Sequence, residues 1–172
     1  MLIGVISDTH IKSNNQDLPE NVKKAFNGVD LIIHAGDVVH LSVIDKLEKI
    51  APTIAVQGNV DRAYDLELPA SVIKDIEGLK VGIVHGEVYP KGDSLSLKYL
   101  AREMGVDVLI SGHSHQAHIE KVDDILLLNP GSPIYPRLTD PTVMLLDISD
   151  GEVNADIIVL GPPVCDVLNF KK

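Results

Sequence analysis

Seven scattered side chains are of types that bind divalent cations: Asp8, His10, Asp37, Asn59, His85, His113 and His115. Carboxylate, imidazole and amide donors together suit borderline or hard ions such as manganese, nickel, iron, zinc or cobalt. Seven donors are too many for one ion that keeps an open position. They fit two ions about 3.5–4 Å apart, with one carboxylate shared between them. Asp8 and His10 stand two residues apart, as do His113 and His115. In an extended segment, such pairs project from the same side. A nucleophilic Ser or Cys on an elbow motif is not evident, so chemistry at this site would rest on the ions. Taken singly, these residues have commoner uses: an Asp as a turn or cap residue, a His as a hydrogen-bonded surface group.

The elements that must position them are legible as apolar runs. Residues 2–6, 31–33 and 53–56 read as short buried strands rich in branched side chains. Between them, Leu18, Val22, Ala25 and Phe26 have helical spacing, with Pro19 and Glu20 suiting a helix start, and residues 41–50 carry a second helical stripe with Ser42 as a candidate cap. This β-α-β-α-β order predicts a parallel sheet with helices packed on it. Further on, strands 71–76 and 80–84 flank the turn Glu77-Gly78. A helix 94–104 ends at Gly105, and strands follow at 106–110, 119–122, 125–128, 142–148 and 153–159. The tail after residue 160, with Pro162 and Pro163, reads as irregular, and the whole chain, 1–172, as one domain.

Each candidate ligand follows one of these strands, and ligands collect outside the carboxyl ends of strands in open α/β sheets. Gly36, Gly58, Gly86 and Gly112 stand beside them, as expected where turns need positive φ or close backbone approach.

Composition narrows the function classes. A chain of 172 residues can bury roughly 70% of its unfolded surface, so its core needs no disulfide. The net charge of −10 argues against a broad nucleic-acid-binding patch. It leaves phosphate ligands open, because bound cations would invert the local field. The single cysteine, Cys165, excludes an intramolecular disulfide and suits a reducing cytoplasm. The start of the chain does not read as a signal peptide, and apolar runs fall short of the ~20 residues of a membrane span, so a cytoplasmic protein is expected.

Five motifs in order, Asp8-x-His10, Gly36-Asp37, Gly58-Asn59-x-Asp61, His85-Gly86 and Gly112-His113-Ser114-His115, resemble those of the calcineurin-like metallophosphoesterases. The compact size and the segments Pro90-Lys91-Gly92-Asp93-Ser94 and Asn129-Pro130-Gly131-Ser132 are similar to the small branch containing phosphodiesterases and the retromer subunit Vps29. The resemblance implies an α/β fold, a four-layer αββα sandwich of two mixed sheets flanked by helices. It implies two divalent ions: Asp8, His10 and His115 on one, Asn59, His85 and His113 on the other, and Asp37 bridging. It further implies hydrolysis of a small phosphoester, by a phosphodiesterase or phosphatase activity, with a hydroxide bridging the ions as nucleophile. A homo-oligomer through a sheet edge or loop is compatible with this pattern.

The chain departs from the wider family twice. Val60 stands where many relatives carry a His that protonates the leaving group. This points to activated leaving groups or a substitute acid, for which His40 and His34 are candidates. Asp61 is a candidate for support. Glu87 follows His85-Gly86 where the small branch often has His. It would either repel substrate phosphate or orient a ligand imidazole. His34 alone reads as structural, His118 as exposed, and Arg62, Lys91 and Arg137, which could bind substrate phosphate, read more readily as solvated charges. The rival reading is a Vps29-like protein-binding scaffold, but a degraded site should have lost ligands, whereas all seven positions hold competent types. A phosphoprotein phosphatase would be expected to keep the His that Val60 replaces.

Overall fold

The computed structural model describes residues 1–161, so the tail with Pro162, Pro163 and Cys165 lies outside the described residues. In chain order the elements are β1 (Leu2–Ile6), α1 (Glu20–Ala25), β2 (Leu31–His34), α2 (Ser42–Glu48), β3 (Thr53–Ala55), α3 (Asn59–Ala63), β4 (Ser71–Ile76) and β5 (Leu79–Val84). They continue with α4 (Ser94–Met104), β6 (Val108–Ile110), β7 (Ala117–Val122), β8 (Ile125–Pro130), β9 (Thr142–Ser149) and β10 (Glu152–Val159).

The strands form two mixed five-stranded sheets, β10-β9-β1-β2-β3 and β4-β5-β6-β8-β7. β1, β2 and β3 are parallel, as the alternating strand and helix pattern predicts, and β9 adds antiparallel to β1. The expected hairpin at Glu77-Gly78 pairs β4 with β5, and both turn residues have positive φ.

Alternation along each strand builds the layers. Ile3 and Val5 of β1, Val81 and Ile83 of β5, Val108 and Ile110 of β6, and Met144 and Leu146 of β9 share one buried cluster between the sheets. Ile6 and Ile32 point to the other face of the first sheet, where Val22, Phe26, Val43 and Leu47 cover them from α1 and α2. Leu109 and Leu127 similarly meet Leu97 and Ala101 of α4 on the second sheet. The order is therefore helix, sheet, sheet, helix, the expected αββα sandwich. Among the described residues no helix is long and apolar enough to cross a membrane.

Two local expectations are corrected. Ser42 is not the cap of α2: Leu41 precedes the helix with helical φ and ψ, and the Ser42 N–H is taken by His40 Nδ1 at 3.2 Å. The strand expected over 106–110 begins at Val108. Gly105 caps α4 in a left-handed conformation, and the Val106 N–H closes that helix on the Ala101 carbonyl.

Candidate metal centre

The carboxyl ends of β1, β2, β3, β5 and β6 open onto a shared rim. There Asp8 Oδ1, His10 Nε2 and His115 Nε2 form one compact group: Asp8 Oδ1 is 3.2 Å from His115 and 3.9 Å from His10. Asp8, Asp37 and His85 form a second, with Asp37 Oδ2 at 3.4 Å from His85 Nε2. Asp37 Oδ2 also lies 3.7 Å from His10 Nε2, so it faces imidazoles of both groups. His113 packs edge-on against His85, with ring centroids 5.1 Å apart. Asn59 begins α3 with its Oδ1 buried, beside Val60, whose N–H donates to Asp37 Oδ1 at 2.8 Å.

The loop geometry differs from the extended one expected for the two-residue spacings. Asp8, His10, Asp37, His113 and His115 all have φ between 49° and 67°, in the left-handed region. That conformation disfavours non-glycine residues by about 1–2 kcal/mol each. Tertiary bonds hold it: the Asp8 N–H donates to the Gly36 carbonyl at 3.0 Å and the His10 N–H to the Asp37 carbonyl at 3.1 Å. The four flanking glycines divide between the two expected uses, and Gly36 and Gly86 take the positive φ. Gly58 has φ −100° and Gly112 is not among the positive-φ glycines. They are needed for close approach: a Cβ on Gly58 would sit 2.1 Å from Asp37 Oδ1, and one on Gly112 would sit 2.8 Å from Asp8 Oδ2.

Each carboxylate has one oxygen held by the protein and one presented to the imidazoles. Asp8 Oδ2 receives the His113 N–H at 3.0 Å and lies 2.7 Å from Ser7 Oγ, leaving Oδ1 for the cluster. Asp37 Oδ1 receives Val60, leaving Oδ2. The imidazoles are oriented in the same manner. His85 Nδ1–H donates to the Ala35 carbonyl at 2.8 Å, and His115 Nδ1–H to the Tyr135 carbonyl, so Nε2 of each is a lone pair aimed inward. His10 Nε2 and His115 Nε2 face each other at 3.3 Å.

This arrangement fits metal ions on two observations. Four buried side-chain polar atoms lack a hydrogen-bond partner among the described residues: Asp8 Oδ1, Asn59 Oδ1, His85 Nε2 and His34 Nδ1. Three belong to the candidate ligands, and an unsatisfied buried acceptor costs roughly 1–3 kcal/mol unless something occupies its lone pair. The protonation states also fit. Burial would raise Asp8 and Asp37, but the adjacent His115 and His85 outweigh it, lowering Asp8 and taking Asp37 to about 2. Burial lowers His10 and His113, keeping them neutral. Ionised carboxylates and neutral imidazoles are the forms that bind metal. His85 alone moves the other way: Asp37 and Asp8 outweigh burial and raise it.

The remaining candidates have other employment. Buried Asp61 accepts the N–H groups of Asp37, Val39 and Gly58 at 2.9, 2.6 and 2.7 Å, which consumes its carboxylate in backbone positioning. His40 Nδ1 lies 2.9 Å from Ser42 Oγ. His34 is fully buried with Nε2 on Thr9 Oγ1 at 3.0 Å, and burial lowers it to about 4, as suits a structural group. His118 is exposed and paired with Glu120 at 2.8 Å. Glu87 pairs with Arg62 at 2.6 Å, so Arg62 is not a merely solvated charge. Sequence reasoning passed over Ser7 and gave no role to Ser132 of the Asn129–Ser132 segment; their hydroxyls anchor Asp8 Oδ2 and the Asp8 carbonyl. The one available signal for Ser7 was its place directly after a wholly apolar strand.

Residues 1–151 match the family model described as the calcineurin-like phosphoesterase superfamily domain. A probable metallophosphoesterase of Methanothermobacter thermautotrophicus is 54% identical over all 172 residues, covering the whole of both chains. Wild-type Vps29 of Entamoeba histolytica, solved in complex with zinc, is 27% identical with a TM-score of 0.74, covering 94% of this chain and all of that one. The structure of an archaeal phosphodiesterase is 31% identical with a TM-score of 0.70, covering 92% of this chain and all of that one.

Proposed function

The chain belongs to the calcineurin-like phosphoesterase superfamily, and on that footing we propose that it is a phosphoesterase, a single catalytic domain using two divalent cations. In this reading Asp8, His10 and His115 hold one ion, Asn59, His85 and His113 hold the other, and Asp37 lies between them. The observation that carries it is the set of three buried, unpartnered acceptors, Asp8 Oδ1, Asn59 Oδ1 and His85 Nε2, on side chains of the proposed ligand set. When bound, the ions would supply an acidified water, the bridging hydroxide nucleophile, and positive charge for phosphate oxygens.

The protein's own part is positioning. Ser7, Ser132 and the His113 N–H fix Asp8 in place. Asp61 holds the turn that carries Asp37, and the Ala35 and Tyr135 carbonyls set the tautomers of His85 and His115. With Val60 in α3, no imidazole at that position donates a proton to the leaving group. This favours substrates whose leaving alcohol is acidic, and the likeness to the archaeal phosphodiesterase supports a diester over a monoester. Manganese, nickel, iron, zinc and cobalt all suit the donor set.

A second reading, a Vps29-like binding scaffold, is favoured by the backbone likeness to Vps29. One experiment separates the two. Turnover of p-nitrophenyl phosphate and bis-p-nitrophenyl phosphate is measured with manganese, with nickel and with chelator, for wild type and H85A. The enzyme reading expects metal-dependent turnover, faster on the diester and lost in H85A. Absence of turnover with either metal supports the scaffold.

A further inference from the structure

We propose that Arg62 determines specificity by binding a second phosphate of the substrate, outside the reacting phosphoryl group, and that Glu87 is the partner it exchanges for that phosphate. The proposal rests on the phosphoesterase reading and names a substrate class for it. Arg62 lies in α3, three residues after Asn59, and Glu87 lies two residues after His85. Their contact, Arg62 Nη2 to Glu87 Oε2 at 2.6 Å, therefore ties together two segments that each carry a candidate ligand. Glu87 foremost, then Asp37 and Asp61, raise Arg62 and keep it charged.

The pair stands in a cleft beside His85. Val88, Leu100 and Met104 line it with apolar surface, and Arg62 is its single Lys or Arg among the described residues, set against the carboxylates of Glu87 and Glu103. In a chain of net charge −10, Arg62 is the one cation that can hold an anionic group in this cleft, at the place where Glu87 now sits and against the repulsion of Glu103. The exchange is inexpensive. The two side chains are 50% and 36% exposed, and solvent-exposed ion pairs of this kind are weak. A phosphate dianion can take two guanidinium N–H groups at once, which is a stronger contact than the one Glu87 makes. Glu87 would be left in water, not stranded in the interior. A substrate without the second phosphate leaves the pair intact and gains nothing from Arg62.

The test uses two probes that differ by one phosphate, thymidine 3′,5′-bisphosphate and thymidine 5′-monophosphate. Their dissociation constants are measured by titration calorimetry on the manganese-loaded protein. Wild type is expected to prefer the bisphosphate by about tenfold or more. R62Q should bring that ratio close to one, with the weakening confined to the bisphosphate. E87Q should raise the ratio, because Arg62 loses its competing partner. The double variant R62Q/E87Q, which restores charge balance, should resemble R62Q. An unchanged ratio in R62Q, or equal weakening of both nucleotides, overturns the proposal. Turnover of bis-p-nitrophenyl phosphate by the same wild-type preparation reports separately on the phosphoesterase reading. Its absence would contradict that reading, while the nucleotide ratio would still decide the role of Arg62.

Discussion

The carboxylate of Asp61 accepts the backbone N–H of Asp37 at 2.9 Å, and so supports the left-handed turn from which Asp37 Oδ2 faces His85 and His10. One buried acid thus holds the backbone of another. The same carboxylate takes Val39 and Gly58, so three amides from two loops converge on it.

Replacing this acid by its amide leaves one acceptor oxygen and turns an NH2 group against backbone N–H donors. D61N is expected to lose about 2–3 kcal/mol of stability and roughly 10–100-fold in manganese affinity. Urea denaturation of the metal-free protein and titration calorimetry check the two effects. Wild-type manganese affinity in folded D61N would show that Asp61 does not position the site.

Gly58 tests close approach. A Cβ at this position would fall 2.1 Å from Asp37 Oδ1 and 2.4 Å from the Asp37 nitrogen. G58A must therefore displace Asp37 or the start of α3. We expect a loss of about 1–3 kcal/mol, the range for overpacking, together with loss of manganese binding. Gly78, where nothing lies within 4 Å of the added Cβ, is the comparison: G78A should strain its own positive φ but leave manganese affinity as it is.

His34 sets part of the acid sensitivity. Its folded pKa is lowered from 6.5 to about 4 by burial, so between these values the unfolded chain binds the proton more readily. Stability from this group is complete above pH 6.5 and falls as pH drops toward 4, by on the order of 3 kcal/mol. The lowered His10 and His113 act with the same sign, and the raised His85 with the opposite sign. The difference between wild type and H34Q in chelator isolates the His34 share. Parallel pH–stability curves for the two proteins would contradict it.

Because His85 is raised by Asp37 and Asp8, proton and metal compete for its Nε2. Manganese affinity should rise with pH until His85 is deprotonated and then level off. Calorimetry in buffers of different ionisation enthalpy should register proton release on the acidic side. At a hundredfold excess over the dissociation constant, manganese should stabilise the fold by about 2.7 kcal/mol. Identical melting with manganese and with chelator would deny the linkage.

The central strands were legible because they are buried on both faces and read as apolar runs, as at Leu2–Ile6 and Leu31–His34. The candidate ligands stood out because each follows such a run. Helix α3 was not legible: five residues, Asn59–Ala63, carry too little periodicity, although Asn59, Asp61 and Arg62 all belong to it. The left-handed conformations of Asp8, His10 and Asp37 were equally hidden, since they follow from bonds to Gly36 and Asp37 made across the sheet. The carbonyls of Ala35 and Tyr135 orient His85 and His115, but a carbonyl leaves no trace in residue type. The Glu87–Arg62 pair depends on two loops meeting, so neither reading of Glu87 from sequence anticipated it.

Anomalous diffraction from crystals soaked in manganese tests the dinuclear centre most directly. The account predicts two peaks about 3.5–4 Å apart, one among Asp8, His10 and His115, the other among Asn59, His85 and His113, with Asp37 touching both. A fully soaked crystal with a single peak, or with peaks remote from Asp8 and His85, would contradict it.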